Sequence, residues 1–240
     1  MKKIVICTFI YLFSSILFSQ NLAQQSQAFT RYNVFAQSNK VIAPSLRVIA
    51  TDIEALNVDA SVLLDIQNEK PEFIRFELIH GDDTFLVKMQ RQALLAQDFI
   101  IRNQNDEILD YAPGLYYRGI VNNDRKSLVV FNFFNESVNA VLSIPGDGNR
   151  NIGQLDHSNQ YVIYNDSKMS VTQDFKCQVD EIEQEAEVLP QNQVLNRAPS
   201  SVNCIRVFYE ITNDIYVANS ESVNDTLNWL TSVHNIVATL

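Results

Sequence analysis

The chain has 240 residues, of which 46% are hydrophobic and 19% charged, and its formal net charge is −10. That much apolar material fills a core and excludes wholesale disorder. The acidic balance, with no basic patch carrying interleaved aromatics, excludes nucleic acid and anionic membrane as partners.

The first 20 residues have the organisation of a secretory signal peptide. Lys2 and Lys3 precede an apolar run from Ile4 to Phe18, and small Ser19 offers cleavage near Gln20. The run is short and soon followed by Gln and Asn, so a cleaved leader is expected, with an uncleaved N-terminal anchor as the alternative. Secretion to the periplasm or the extracellular space is therefore expected, with no membrane association after cleavage. Residues 21–44, rich in Gln, Ser and Asn at their start, are expected to form a loose lead-in.

Residues 45–176 are expected to form a β-rich domain. Asp52 to Asn57 is the exception, expected as a short helix. Phe73 to Ile79 alternates apolar and polar side chains, Gly81-Asp82-Asp83 supplies a turn, and Thr84 to Met89 completes a hairpin. Further short strands are expected at Phe99–Ile101, Tyr117–Val121, Leu128–Phe134, Val138–Ile144 and Tyr161–Tyr164. Turn residues lie between them at 103–106, 122–124, 135–136 and 145–149. Strands at about ten-residue spacing, without long helical patterns, predict an antiparallel sandwich or open barrel.

Residues 177–202 read as a linker. Asp180, Glu181, Glu183, Glu185 and Glu187 repel one another, and Pro190 and Pro199 block regular pairing. Arg197 offers a cleavage point there, though an ordinary linker with an incidental arginine reads equally well. In the last segment, 203–240, Cys204 to Ile211 has the β-branched and aromatic make-up of a strand. A turn-like stretch follows. A helix then opens at Ser222, with Asp225 three residues on as its capping partner. Val223, Leu227, Leu230, Val233, Val237 and Leu240 fall on one apolar face. That stripe runs to Leu240 without a Gly, Asn or Pro to end it, so the chain is expected to be the front part of a longer protein.

Enzyme motifs are few. His80, His157 and His234 lie far apart, without the His-x-x-x-His spacing of a helical metal site. His80 and His157 sit beside turn residues and are expected at the surface, and His234 half-buried beside the helical stripe. There is no nucleophile elbow, phosphate loop or dinucleotide fingerprint. Gly146-Asp147-Gly148-Asn149 lacks the spaced carboxylates of a calcium loop and reads as a hairpin turn. Asn135, Asn165 and Asn224 open glycosylation-type triplets. With Cys7 in the leader, Cys177 and Cys204 remain, and in an oxidising compartment their simplest state is a disulfide, worth about 3 kcal/mol through loop closure.

Two stretches carry a resemblance. Tyr117-Arg-Gly119-Ile-Val121-Asn-Asn-Asp124-Arg-Lys-Ser127-Leu-Val129 resembles the Tyr-x-Gly-x-Val-x-x-Asp-x-x-Ser-x-Val signature in the prodomain of reprolysin-type (adamalysin) zinc metalloproteases. Phe76-Glu-Leu78 and Asp98-Phe99 fit the same prodomain. Cys204 to Ile211, Ile215-Tyr216 and the helix Asn224 to Leu240 are similar to the opening strand and first helix of the metzincin catalytic domain in secreted bacterial members. The order of leader, β-rich region, linker and catalytic start agrees as well. Two features depart from the pattern. Phe134 to Val138 stands where a glycine pair usually follows the signature, and the His-Glu-x-x-His-x-x-Gly-x-x-His zinc helix does not occur.

The resemblance implies a mainly β prodomain followed by the first strand and helix of a truncated α/β metzincin domain. It implies a propeptide that inhibits and helps to fold its own downstream catalytic domain. The parent would be a secreted zinc metalloendopeptidase acting on protein or peptide substrates. Zinc would be the parent's cofactor, and this chain alone would be inactive, with no catalytic residue to assign. In such proenzymes a prodomain cysteine fills the open position on zinc, a role that would fall to Cys177. A Cys177–Cys204 disulfide competes with it, because one sulfur cannot do both. Two other readings stand beside these: a complete exported β-rich binding or adhesion module whose last helix packs back on the sheet, and a prodomain-derived protease inhibitor.

Overall fold

The computed structural model describes residues 28–155, 160–170 and 207–239. Strict alternation in β4 (Phe73–His80) turns Ile74, Phe76 and Leu78 inward at 1% exposure or less and leaves Arg75 and Glu77 outside. Gly81, at φ 61°, reverses the chain into β5 (Asp83–Gln92), and Phe85, Val87 and Met89 join the same inner face. The pattern continues through β8 (Leu115–Val121), β9 (Asp124–Phe133), β10 (Val138–Ile144), β11 (Gly148–Gln154) and β12 (Tyr161–Asn165). With β1 (Thr30–Arg31), β2 (Phe35–Gln37) and β3 (Glu54–Val58), these make a ten-stranded sheet among the described residues, in the order β1-β4-β5-β8-β9-β10-β11-β12-β3-β2. All neighbours are antiparallel except β1 on β4. β6 (Ile101–Arg102) and β7 (Ile108–Leu109) form a separate two-stranded ribbon.

The sheet curls into a half-barrel. Its two edges are tied by one short stretch of chain, since β1 pairs with β4 while β2, four residues on, pairs with β3. The Phe35 ring of β2 lies 5.8 Å from Phe76 of β4 and 5.9 Å from Phe131 of β9. Helix α1 (Pro44–Ile49) covers part of the outer face, where Ile42, Ala50, Ile53, Ala55 and Val162 form a second small core. Helix α2 (Ala60–Glu69) sends Leu63 and Ile66 into the inner core, and its Gln67 amide donates to the Phe133 carbonyl at 2.7 Å.

The mainly β expectation holds, and of its two forms the curled single sheet resembles the open barrel. Several local expectations do not hold. Asp52–Asn57 is not a helix, because Glu54–Val58 pairs with β12 on one side and β2 on the other. Ala55 and Leu56 are then buried on opposite faces, as a strand buried on both sides requires. The helix comes next, as α2, where the Asp59 carboxylate accepts from the Ser61 and Val62 amides and Lys70 ends the turn at φ 47°. The described part of the lead-in is not loose, since it supplies both strands that tie the barrel edges. Residues 207–211, within the expected Cys204–Ile211 strand, lie in no strand, and Phe208 is 88% exposed. A β-branched and aromatic run becomes a strand when an edge pairs it, and among the described residues nothing pairs this one. Helix α3 (Asn213–Ala218) replaces the expected turn.

Buried phenols give the fold an alkaline limit. Burial pushes Tyr117 up to about 12 from its ordinary 10.0, with Arg91 pulling slightly the other way. Burial also raises Tyr32, Tyr111, Tyr161 and Tyr164, with the Glu69 hydrogen bond adding to Tyr32. These groups hold their protons more tightly folded than unfolded. Their contribution is therefore whole below about pH 10 and drains as pH rises toward about 12. Urea midpoints should be level from pH 7 to 9 and fall between pH 10 and 11, and Tyr117→Phe should flatten part of that fall.

Candidate helix-docking site

The β8–β9 hairpin carries the signature residues, and each has a structural task. The Tyr117 hydroxyl, fully buried, donates to the Pro71 carbonyl at 2.6 Å. Gly119 lies against β5 so closely that a Cβ there would stand 1.9 Å from the Lys88 carbonyl oxygen. Asn122 and Asn123 turn the hairpin at φ 51° and 60°, the left-handed pair a two-residue reversal needs. The Asp124 carboxylate accepts from the Lys126 amide, and buried Ser127 Oγ accepts from the Val121 amide at 2.8 Å while donating to the Asp124 carbonyl at 2.6 Å. Val121 and Val129 fill the inner core. Ser127→Ala should cost about 2 kcal/mol in urea unfolding, because it strands a buried amide and a carbonyl together.

The outward side of the same strands carries a second set of residues: Arg118 on β8, Asn132 on β9 and Asn139 on β10, the last two directly opposite in register. Helix α4 (Val223–Val237) docks there, its N-terminus capped by Ser222 Oγ accepting from the Asp225 amide as expected. Asn228, Thr231, Ser232 and Asn235 recur at helical spacing and share one face. Arg118 Nε donates to Asn235 Oδ1 at 2.8 Å, and Asn235 Nδ2 donates to Asn132 Oδ1 at 2.7 Å. Asn132 Nδ2 donates to Asn139 Oδ1 at 2.7 Å, and Asn139 Nδ2 to Ser232 Oγ at 2.9 Å. Near the helix start, the Tyr111 hydroxyl donates to Asn228 Oδ1 at 2.9 Å. Asn235 is fully buried.

The expected apolar stripe is not the docking face. Of its described members Leu227 alone is buried, while Val233 and Val237 are 38% and 63% exposed; Leu240 lies outside the described residues. The sheet offers a guanidinium and two carboxamides at this place, and burying them against Val or Leu would orphan each one. The helix therefore turns its amides and hydroxyls inward. Beside the ladder, Val233, Ile236 and Val237 of α4 and Leu128, Val130 and Val141 of the sheet line an apolar cleft of about 370 Å³, with Ser143, Asn149 and Asn151 as its polar lining.

A second polar cluster lies where β5 and β11 meet. Arg150, 4% exposed, reaches Asp147 at 2.5 Å and Asp83 at 3.6 Å, and its guanidinium lies 4.3 Å from the centre of the Phe85 ring. A hairpin turn is found here as expected, at residues 145–147, with Gly148 opening β11 and Gly146 and Gly148 at φ 80° and 88°. His80 is not at the surface. It is 5% exposed and bonds the Asp52 carbonyl at 2.7 Å, because it ends the inward-facing row of β4. His234 is half-buried, as expected, its Nδ1 2.6 Å from the Tyr209 hydroxyl. Cys177, Cys204 and His157 lie outside the described residues.

Among the described residues no three His, Cys, Asp or Glu side chains gather as a metal group, and no helix is long and apolar enough to cross a membrane. Sequence reasoning passed over Arg118, Asn132, Asn139 and Asn235. The signal for them was a polar residue interrupting the outward row Leu128, Val130, Asn132, Phe134, together with amides at one helical spacing. Comparison with protein-family models, curated proteins and solved structures finds no match.

Proposed function

We propose that this chain is the propeptide-bearing front part of a secreted zinc metalloendopeptidase precursor, its β domain serving to hold and fold the protease segment that follows. The observation that carries the reading is the β8–β9 hairpin, where Tyr117, Gly119, Asp124 and Ser127 of the stretch that resembles the prodomain signature each fill a place the hairpin needs. Among the described residues no three metal-ligating side chains gather, and Cys177 lies outside them. The β domain's part in this reading is binding.

The test is inhibition in trans. Purified chain should inhibit the matching mature protease at micromolar concentration and should hydrolyse no peptide itself when zinc is added. Peptidase activity of the pure chain, or no inhibition at that dose, would count against the reading. A coding frame running past Leu240 into the His-Glu-x-x-His-x-x-Gly-x-x-His helix is the matching expectation at the level of the gene.

A second reading, a self-contained exported β-rich binding module, is favoured by one feature: α4 packs back on the sheet with Asn235 fully buried. A frame that stops after Leu240 would select it.

A further inference from the structure

We propose that the outward face of β8, β9 and β10 is a helix-reading surface, selecting its partner by a directional hydrogen-bond ladder rather than by apolar packing. The partner it fits is a helix bearing Asn, Thr, Ser and Asn at positions i, i+3, i+4 and i+7, here Asn228, Thr231, Ser232 and Asn235 of the chain's own α4. This goes beyond the protease reading and does not require it.

The direction of the ladder comes from its ends. Arg118 has donors and no acceptor, so its bond to Asn235 fixes the carboxamide oxygen toward β8 and the amide nitrogen toward β9. Asn235 must then donate to Asn132, Asn132 to Asn139, and Asn139 to Ser232. Ser232 Oγ closes the run by donating to the Asn228 carbonyl of its own helix at 2.7 Å. The ladder crosses between sheet and helix three times, and every carboxamide in it gives one bond and takes one. A helix with an apolar or wrongly oriented group at any rung leaves buried amides unpaired, a discrimination of roughly 10- to 100-fold per rung.

The geometry also separates recognition from apolar burial. Trp229, Val233 and Val237 remain 42%, 38% and 63% exposed while the ladder is made. A helix seated to maximise apolar burial would have turned this side inward. The surface thus holds α4 by its polar face and leaves much of its apolar side outward.

Hydrogen exchange on the full chain tests this. Asn235→Leu makes the helix face more apolar, and Asn235→Asp keeps an acceptor for Arg118 while removing the donor to Asn132. Both should speed amide exchange across residues 223–237 by about 10- to 100-fold, with the β5 and β8 amides unchanged, whereas Val233→Ala should leave the helix as protected as before. Wild-type protection of α4 in Asn235→Leu would overturn the proposal, since Leu227 and apolar contact would then suffice. If a variant disturbs the sheet as well, a synthetic peptide of residues 222–239 decides. Added to the Asn235→Asp chain, the native peptide should bind at least ten times more tightly than the same peptide carrying Asn235→Leu, and equal binding would overturn the ladder. Both measurements are independent of protease inhibition, so failure of the protease reading and failure of this one remain distinct.

Discussion

Gly119→Ala should destabilise the β domain by about 3 kcal/mol, and by about 10 °C in melting temperature for a domain of this size. The added methyl would stand 1.9 Å from the Lys88 carbonyl oxygen and 2.7 Å from the Met89 Cα. Both are backbone atoms, so no side chain can swing aside. Lys88 is paired on both flanks, to Arg75 of β4 and Ile120 of β8, which leaves β5 no direction in which to yield. The register shift between Gly119 and Val121 lies at the same place, and the methyl would force that irregularity to spread. Gly153→Ala is the control, because nothing lies within 4 Å of a Cβ there. It should be neutral or stabilise by up to about 1 kcal/mol by restricting the unfolded chain. Arg118 is the neighbour of Gly119, so the first variant should also loosen α4, joining the signature hairpin on the inner face to helix docking on the outer one.

The strands with inward and outward rows were legible in the sequence. Phe73 to His80 writes its faces in alternate letters, Leu128 to Phe133 reads as a continuous apolar run broken by Asn132, and the Gly81 and Asn122-Asn123 turns punctuate them. β11 was not legible, because Asn149-Arg150-Asn151 offers no apolar alternation and Arg150 reaches the interior as an ion-paired guanidinium. β3 was misread as a helix because a short segment with Ala, Leu and Asn has no strong local preference, and its partners β2 and β12 decide it. The helix α4 and its Ser222 cap were legible, but its docking face was not. The apolar stripe is a property of the helix, whereas the choice of face belongs to the sheet, and Arg118, Asn132 and Asn139 meet one another only after folding. The signature was visible as a motif, and what the fold adds is a physical reason for each of its letters.

Phe131→Ala should cost about 4 kcal/mol, the upper range for a single core truncation. The ring is fully buried and stands at the centre of an aromatic group: 5.0 Å from Phe76, 5.7 Å from Phe133 and 5.9 Å from Phe35 between ring centres. Phe76 belongs to β4, near one edge of the curled sheet, and Phe35 to β2 at the other, so Phe131 is the contact the two share in the middle. The truncation leaves a cavity under the stretch that ties β1 to β4 and β2 to β3. β2 is only three residues long and lies at the sheet's edge, so little else holds it. The Phe35–Gln37 amides should lose exchange protection in this variant at denaturant concentrations where Leu115–Val121 still keeps its own. Phe131→Leu, which refills most of the volume, should cost about 1 kcal/mol and leave that order of opening undisturbed. Simultaneous loss across both strands in Phe131→Ala would mean that the closure is held by backbone pairing alone and that the aromatic group contributes volume without directing the curl.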